Sequence, residues 1–93
     1  MSIELEQRRK GAAMIIERCK QFAQELGVDL EGVEWKDNIE DARDAYTLVV
    51  HVGPTPDQMP LAHTEIEAYA TKISTKGTDE KLKSIIQKRP SGY

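Results

Sequence analysis

The chain has a single cysteine, Cys19, so no intrachain disulfide can staple it. No apolar run follows a basic segment near the N-terminus, so no signal peptide is expected. No window approaches about 18 consecutive apolar residues, which excludes a helical membrane span. Together these absences point to a reduced, cytoplasmic protein. Aromatic residues are scarce at 5%, with one tryptophan, Trp35, and one phenylalanine, Phe22. No aromatic platform for stacking nucleobases, recognition-helix pattern or zinc-finger spacing is present.

Metal chemistry has little to work with. His51 and His63 are the only imidazoles, and no CxxC, HxxxH or HExxH spacing exists. No metal and no cofactor are expected. Asp37, Glu40, Asp41 and Asp44 form an acidic turn without the central glycine of a calcium loop. Gly53-Pro54-Thr55-Pro56 lacks the glycine spacing and lysine of a phosphate-binding loop. Cys19 falls on the apolar side of a helical pattern and reads as a small buried hydrophobe rather than a nucleophile. An enzyme would need His51, His63 or Tyr46 beside a carboxylate in a deep pocket, and nothing in the sequence signals one. The chain therefore reads as non-enzymatic.

Ninety-three residues with 39% apolar and 31% charged side chains make one domain, 1–93, with a modest core. Its organising stretch is Ala45–Gly53. This is the one run dominated by β-branched and aromatic residues, and it predicts a mostly buried strand. Tyr46, Leu48, Val50 and Val52 share one face, and Thr47, Val49 and His51 the other.

Upstream, Ala12, Ile15, Ile16, Cys19, Phe22, Ala23 and Leu26 recur at helical spacing. Ser2 is a candidate N-cap, and Gly27 a C-terminal stop with Val28 as its apolar contact. Gly11 inside this helix should cost about 1 kcal/mol against alanine unless a close contact uses it. Val33–Asp37 alternates like a half-buried strand, and the acidic residues 40–44 form the turn into the main strand. Three prolines mark 53–60 as a loop. Ala62, Ile66, Tyr69, Ala70 and Ile73 then keep helical spacing to a stop at Lys76-Gly77. Thr78 caps a last helix carrying Leu82, Ile85 and Ile86, and Pro90–Tyr93 form a tail.

The fold class is α+β, in the order α-β-β-α-α, with a β-hairpin packed on the long N-terminal helix. The alternative places a third strand at 69–75, giving α-β-β-β-α, because Tyr69–Thr75 also alternates. A two-stranded sheet is marginal alone unless a third strand or the helices cover it, so a homodimer is expected as well, paired edge to edge at the hairpin or head to tail, the basic C-terminal helix of one copy facing the acidic surface of the other.

Charge is unevenly spread. Residues 28–67 hold ten acidic and two basic groups, whereas 68–93 hold two acidic and six basic. The function expected from this split is a small regulatory or interaction module, binding another macromolecule through a charged surface. Glu40, Asp41, Asp44 and Trp35 are the candidate contacts for a protein with a basic surface, or for a second copy of the chain. The alternative is nucleic-acid binding through Arg8, Arg9, Lys10, Lys81, Lys83, Lys88 and Arg89, provided that they converge on one face.

Overall fold

The computed structural model describes residues 3–72 and 75–87. The Ser2 cap, Lys88, Arg89, the tail 90–93 and residues 73–74 lie outside them. The elements are α1 (Ile3–Leu26), β1 (Leu30–Trp35), β2 (Ala45–Val52), β3 (Asp57–Ala62), α2 (His63–Thr71) and α3 (Lys76–Gln87). The class is mixed α+β, with α1 packed on the hairpin. The order is α-β-β-β-α-α.

The three strands form one antiparallel sheet, β1-β2-β3, with the apolar run at its centre. Tyr46, Leu48 and Val50 are fully buried and meet Ile15, Cys19, Phe22, Leu61, Ile66, Leu82 and Ile86 in one core. The opposite face of β2, with Thr47, Val49 and His51, contributes nothing to that cluster. The strand assignment and the two-face split therefore hold.

The third strand does not come from 69–75. Residues 69–71 belong to α2, and β3 occupies 57–62, much of the stretch read as a loop. Pro60 misled that reading. Proline is excluded from central strands but tolerated at an edge, where its nitrogen faces away from the ladder. β3 is an edge strand, and Pro60 sits opposite Thr47.

Helix ends follow local chemistry with two shifts. At the end of α1, Gly27 takes a left-handed φ of 68°, Val28 N–H donates to Ala23 O at 2.8 Å, and Gly27 N–H reaches Gln24 O. This is the paired-bond glycine stop expected from the sequence. α2 ends earlier than Lys76-Gly77, because Lys72 adopts a left-handed φ of 59° and its N–H closes on Tyr69 O. Lys76 and Gly77 instead open α3. Thr78 is not its cap but a buried residue of the first turn, and Asp79 N–H bonds to Thr75 O.

α2 lacks a capping side chain at Ala62. Only one half of a capping pair forms, with Glu65 Oε1 accepting the Ala62 N–H at 3.0 Å. Glu65 Oε2 also accepts from Lys81 Nζ at 2.7 Å, tying α2 to α3. Burial raises the Glu65 carboxyl, but Lys81, the Ala62 N–H and Thr78 outweigh it and hold the group below its ordinary value of 4.5. A depressed carboxyl stabilises the fold above its unfolded value, and that stabilisation fades as pH falls through the folded one. The stability advantage of the wild type over Glu65→Gln is therefore expected at neutral pH and should shrink below pH 4.5. Urea unfolding of both proteins across that range checks it.

Candidate functional site

The connection 36–44 is anchored to α1 by the basic residues that precede Gly11. Arg8 is 8% exposed. Its Nε donates to Ile39 O at 2.7 Å, its Nη1 lies 3.7 Å from Glu67 Oε2, and its guanidinium stacks 5.5 Å from the Tyr46 ring. Tyr46 in turn donates to Asp41 O and accepts the Arg43 N–H. Arg9 pairs with Glu40 at 2.9 Å. Arg43 lies 3.7 Å from Asp37 and 3.8 Å from Asp41. Asp37 Oδ2 also accepts the Thr47 N–H at 2.9 Å.

This separates the acidic candidates. Glu40 and Asp41 have internal ion-pair partners. Asp44 is exposed, and its side chain has no ion-pair partner among the described residues. Trp35 is half-buried and donates its Nε1–H to Ala12 O at 3.2 Å, so it fastens β1 to α1. Asp29 and Glu31, at the entry to β1, are exposed and likewise without an ion-pair partner among the described residues. Glu34 is exposed beside His51, whose Nε2 is 2.9 Å from its Oε2. Residues 28–44 thus hold seven acidic and two basic groups along β1 and its connection to β2.

The basic candidates do not gather in the same way. Arg8 is buried and Arg9 is paired. Lys81 is bound to Glu65, and Lys83 Nζ lies 5.0 Å from the Phe22 ring. Arg9 and Phe22 are thirteen residues apart on α1, about 20 Å by helical rise. The triplet 8–10 and Lys83 therefore flank different ends of that helix, while Lys81 is held against α2 by Glu65. Lys88 and Arg89 lie outside the described residues.

The imidazoles are in separate places, His51 against Glu34 and His63 against Glu67 at 3.1 Å. Among the described residues no three histidine, cysteine or acidic side chains are placed to share a metal ion. No described helix is long and apolar enough to cross a membrane. Cys19 is fully buried, and burial pushes its thiol up to about 12. Thiol reagents are therefore expected to label it on the order of a hundredfold more slowly in the native protein than in denaturant. A timed labelling assay read by mass spectrometry tests this.

Two open grooves flank the helices. One, of about 1060 Å³, runs between β3 and α3 past Met59, Lys83 and Ile85. The other, of about 570 Å³, lies where α1 meets the ends of α2 and α3. There Tyr69 donates to Asp79 Oδ1 at 2.6 Å and Arg18 Nε is 3.9 Å from the same oxygen. Burial, and then the Asp79 carboxylate, push the Tyr69 hydroxyl well above its ordinary range, which suits a structural hydrogen bond rather than proton transfer.

Among the described residues the sheet has two unpaired edges, and they differ chemically. Lys36 N–H donates to Thr47 O at 2.9 Å. Residues of an antiparallel strand bond alternately to one neighbour and the other. In the observed registers Thr47, Val49 and His51 therefore bond toward β1, and Tyr46, Leu48 and Val50 toward β3. Val33 and Trp35, opposite Val50 and Leu48, turn their N–H and C=O groups out of the free edge of β1. On β3 the outward residues are Gln58, Pro60 and Ala62. Pro60 has no N–H, and the Ala62 N–H is taken by Glu65. The β3 edge is blunted, while that of β1 keeps its alternate donors and acceptors.

Compared with protein-family models, curated proteins and solved structures, the chain matches none. Sequence reading singled out the acidic turn and Trp35. Asp29, Glu31, Val33 and Glu34 were not among them, and they join the same side of the sheet only because β1 forms its edge. The acidic spacing along 29–34 was the available signal.

Proposed function

We propose that this domain is a non-enzymatic protein-interaction module that receives a basic partner along β1 and the connection 36–44. The supporting observation is the concentration of acidic groups on this one side of the sheet, with Asp29, Glu31 and Asp44 exposed and without ion-pair partners among the described residues. Complementary charge of this kind steers association and selects the sign of the partner.

The homodimer expected from the sequence fits this reading only head to tail, with the lysines of α3 in one copy facing the acidic side of the other. Pairing β1 with β1 would bring two segments of net charge −5 together. Nucleic acid is the less favoured partner, because internal pairs and burial already engage Arg8, Arg9 and Lys81.

The test is fluorescence anisotropy with a labelled lysine-rich peptide, a glutamate-rich control, and single- and double-stranded DNA and RNA, at about 50 and 200 mM salt. The lysine-rich peptide should bind at the lower salt, and the triple change Asp29→Lys, Glu31→Lys and Asp44→Lys should weaken it at least about tenfold, or 1.4 kcal/mol. Equal binding of both peptides, or preference for nucleic acid, would overturn the reading. Sedimentation over a concentration series reads self-association.

A further inference from the structure

We infer that the free edge of β1 takes an extended, basic segment of a partner protein as a fourth strand. This rests on the proposed reading of the acidic side and adds the mode of binding and the chemistry of the segment. Main-chain groups give such strand addition its affinity, and alternate side chains give it specificity.

Backbone geometry selects this edge. Val33 and Trp35 direct two N–H and two C=O groups outward, in the alternation a new antiparallel or parallel strand requires. No hydrogen bond joins these groups to another element among the described residues. The opposite edge is closed to the same use by Pro60 and by the Glu65–Ala62 bond. The register shift between Leu30 and Gly32 ends the regular edge, so the available run is 32–36 and the incoming segment is short.

The two faces beside the edge specify the segment. Glu34 shares the open face with Gly32 and Lys36, and exposed Glu31 and Asp29 continue the negative charge toward the start of β1. A side chain arriving beside Glu34, or passing the start of the strand near Glu31 and Asp29, meets a carboxylate and should be lysine or arginine, whereas the position beside Lys36 is not selected for positive charge. On the other face, β1 presents half-buried Val33 and Trp35, and Trp35 is bonded to Ala12 of α1. Half-buried Ile16 lies one turn beyond Ala12 on the same stripe of the helix. Side chains arriving there meet apolar surface. The fitting segment therefore alternates basic and small apolar residues. A second copy of β1 does not fit, because it would set like charges against each other.

The probe is a short peptide of alternating lysine and valine. It is compared with the same peptide N-methylated at every second amide, in both phases, and with an equally charged lysine–glycine peptide. Affinity is read by anisotropy at about 50 mM salt, and the site by amide hydrogen exchange. The lysine–valine peptide should bind, N-methylation in one phase should weaken it at least about tenfold, and the amides of Val33 and Trp35 should gain protection. Equal affinity of both N-methylated forms, with no new protection at Val33 or Trp35, would overturn strand addition and leave the charge reading standing. Failure of every lysine peptide to bind would overturn both. Protection of the Val33 and Trp35 amides by self-association without peptide would replace the basic partner with a second copy. Val33→Pro, which removes one outward donor, should reduce peptide affinity. If that variant does not fold, the N-methyl series decides.

Discussion

Replacing Gly11 with alanine is expected to destabilise the protein by about 2–3 kcal/mol and to lower its melting temperature by roughly 10–20 °C. From helix propensity alone the sign would be opposite. Alanine in a helix interior is favoured over glycine by about 1 kcal/mol. The difference comes from the crossing of α1 and α2. A β-carbon at Gly11 would overlap the carbonyl oxygen of Ile66 and approach its carbonyl carbon to 2.9 Å. These are backbone atoms of a helix, so no rotamer change relieves the contact. The helices must separate, loosening the packing of Ile15 and Ile66, both fully buried. Thermal unfolding of Gly11→Ala beside Gln24→Ala, at an exposed position of the same helix, measures the effect. The control should stay within about 0.5 kcal/mol of wild type. A higher melting temperature for Gly11→Ala would mean that α1 and α2 do not meet at this residue.

Loss of Arg8 should cost about 3 kcal/mol, the lower end for removing one partner of a buried ion pair. The side chain is the junction of three parts of the fold: Glu67 of α2, Ile39 of the connection and the Tyr46 ring of β2. In Arg8→Ala, Glu67 keeps His63 as its one charged or polar partner among the described residues, and the Ile39 carbonyl loses its donor. Lysine is a poor replacement because it lacks the planar fork that reaches a carbonyl and a carboxylate at once. Arg8→Met combined with Glu67→Gln should recover much of the loss, since no buried carboxylate is then left unpaired. Urea unfolding should show a lower midpoint with an unchanged slope for Arg8→Ala, and partial return for the double variant. The single variant should not change the salt dependence of any macromolecular binding, because its guanidinium does not face solvent.

Arg8 also shows where sequence reading stops. Beside Arg9 and Lys10 it is one of three consecutive cations, and such runs ordinarily face water. Only the third dimension distinguishes them. Arg8 lies on the side of α1 that meets α2 and the sheet, Arg9 reaches the acidic connection, and Lys10 stays exposed. β3 was hidden for a related reason. Its Pro60, and Pro54 and Pro56 just before it, are turn residues by composition, and its strand character depends on pairing with Ala45–Val50, a partner that no local window contains.

By itself the sequence determined the α+β class, the long amphipathic α1 with its glycine stop, the buried face of β2 and the segregation of acidic from basic residues. Each of these follows from periodicity or composition within a short window, where side-chain spacing dictates which face is apolar. Tertiary structure alone decided the third strand, the sign of the Gly11 substitution, the burial of Arg8 and the difference between the open edge of β1 and the edge closed by Pro60. Those depend on contacts between residues far apart in the chain, and a backbone group is free or satisfied only with respect to the neighbours that folding brings to it.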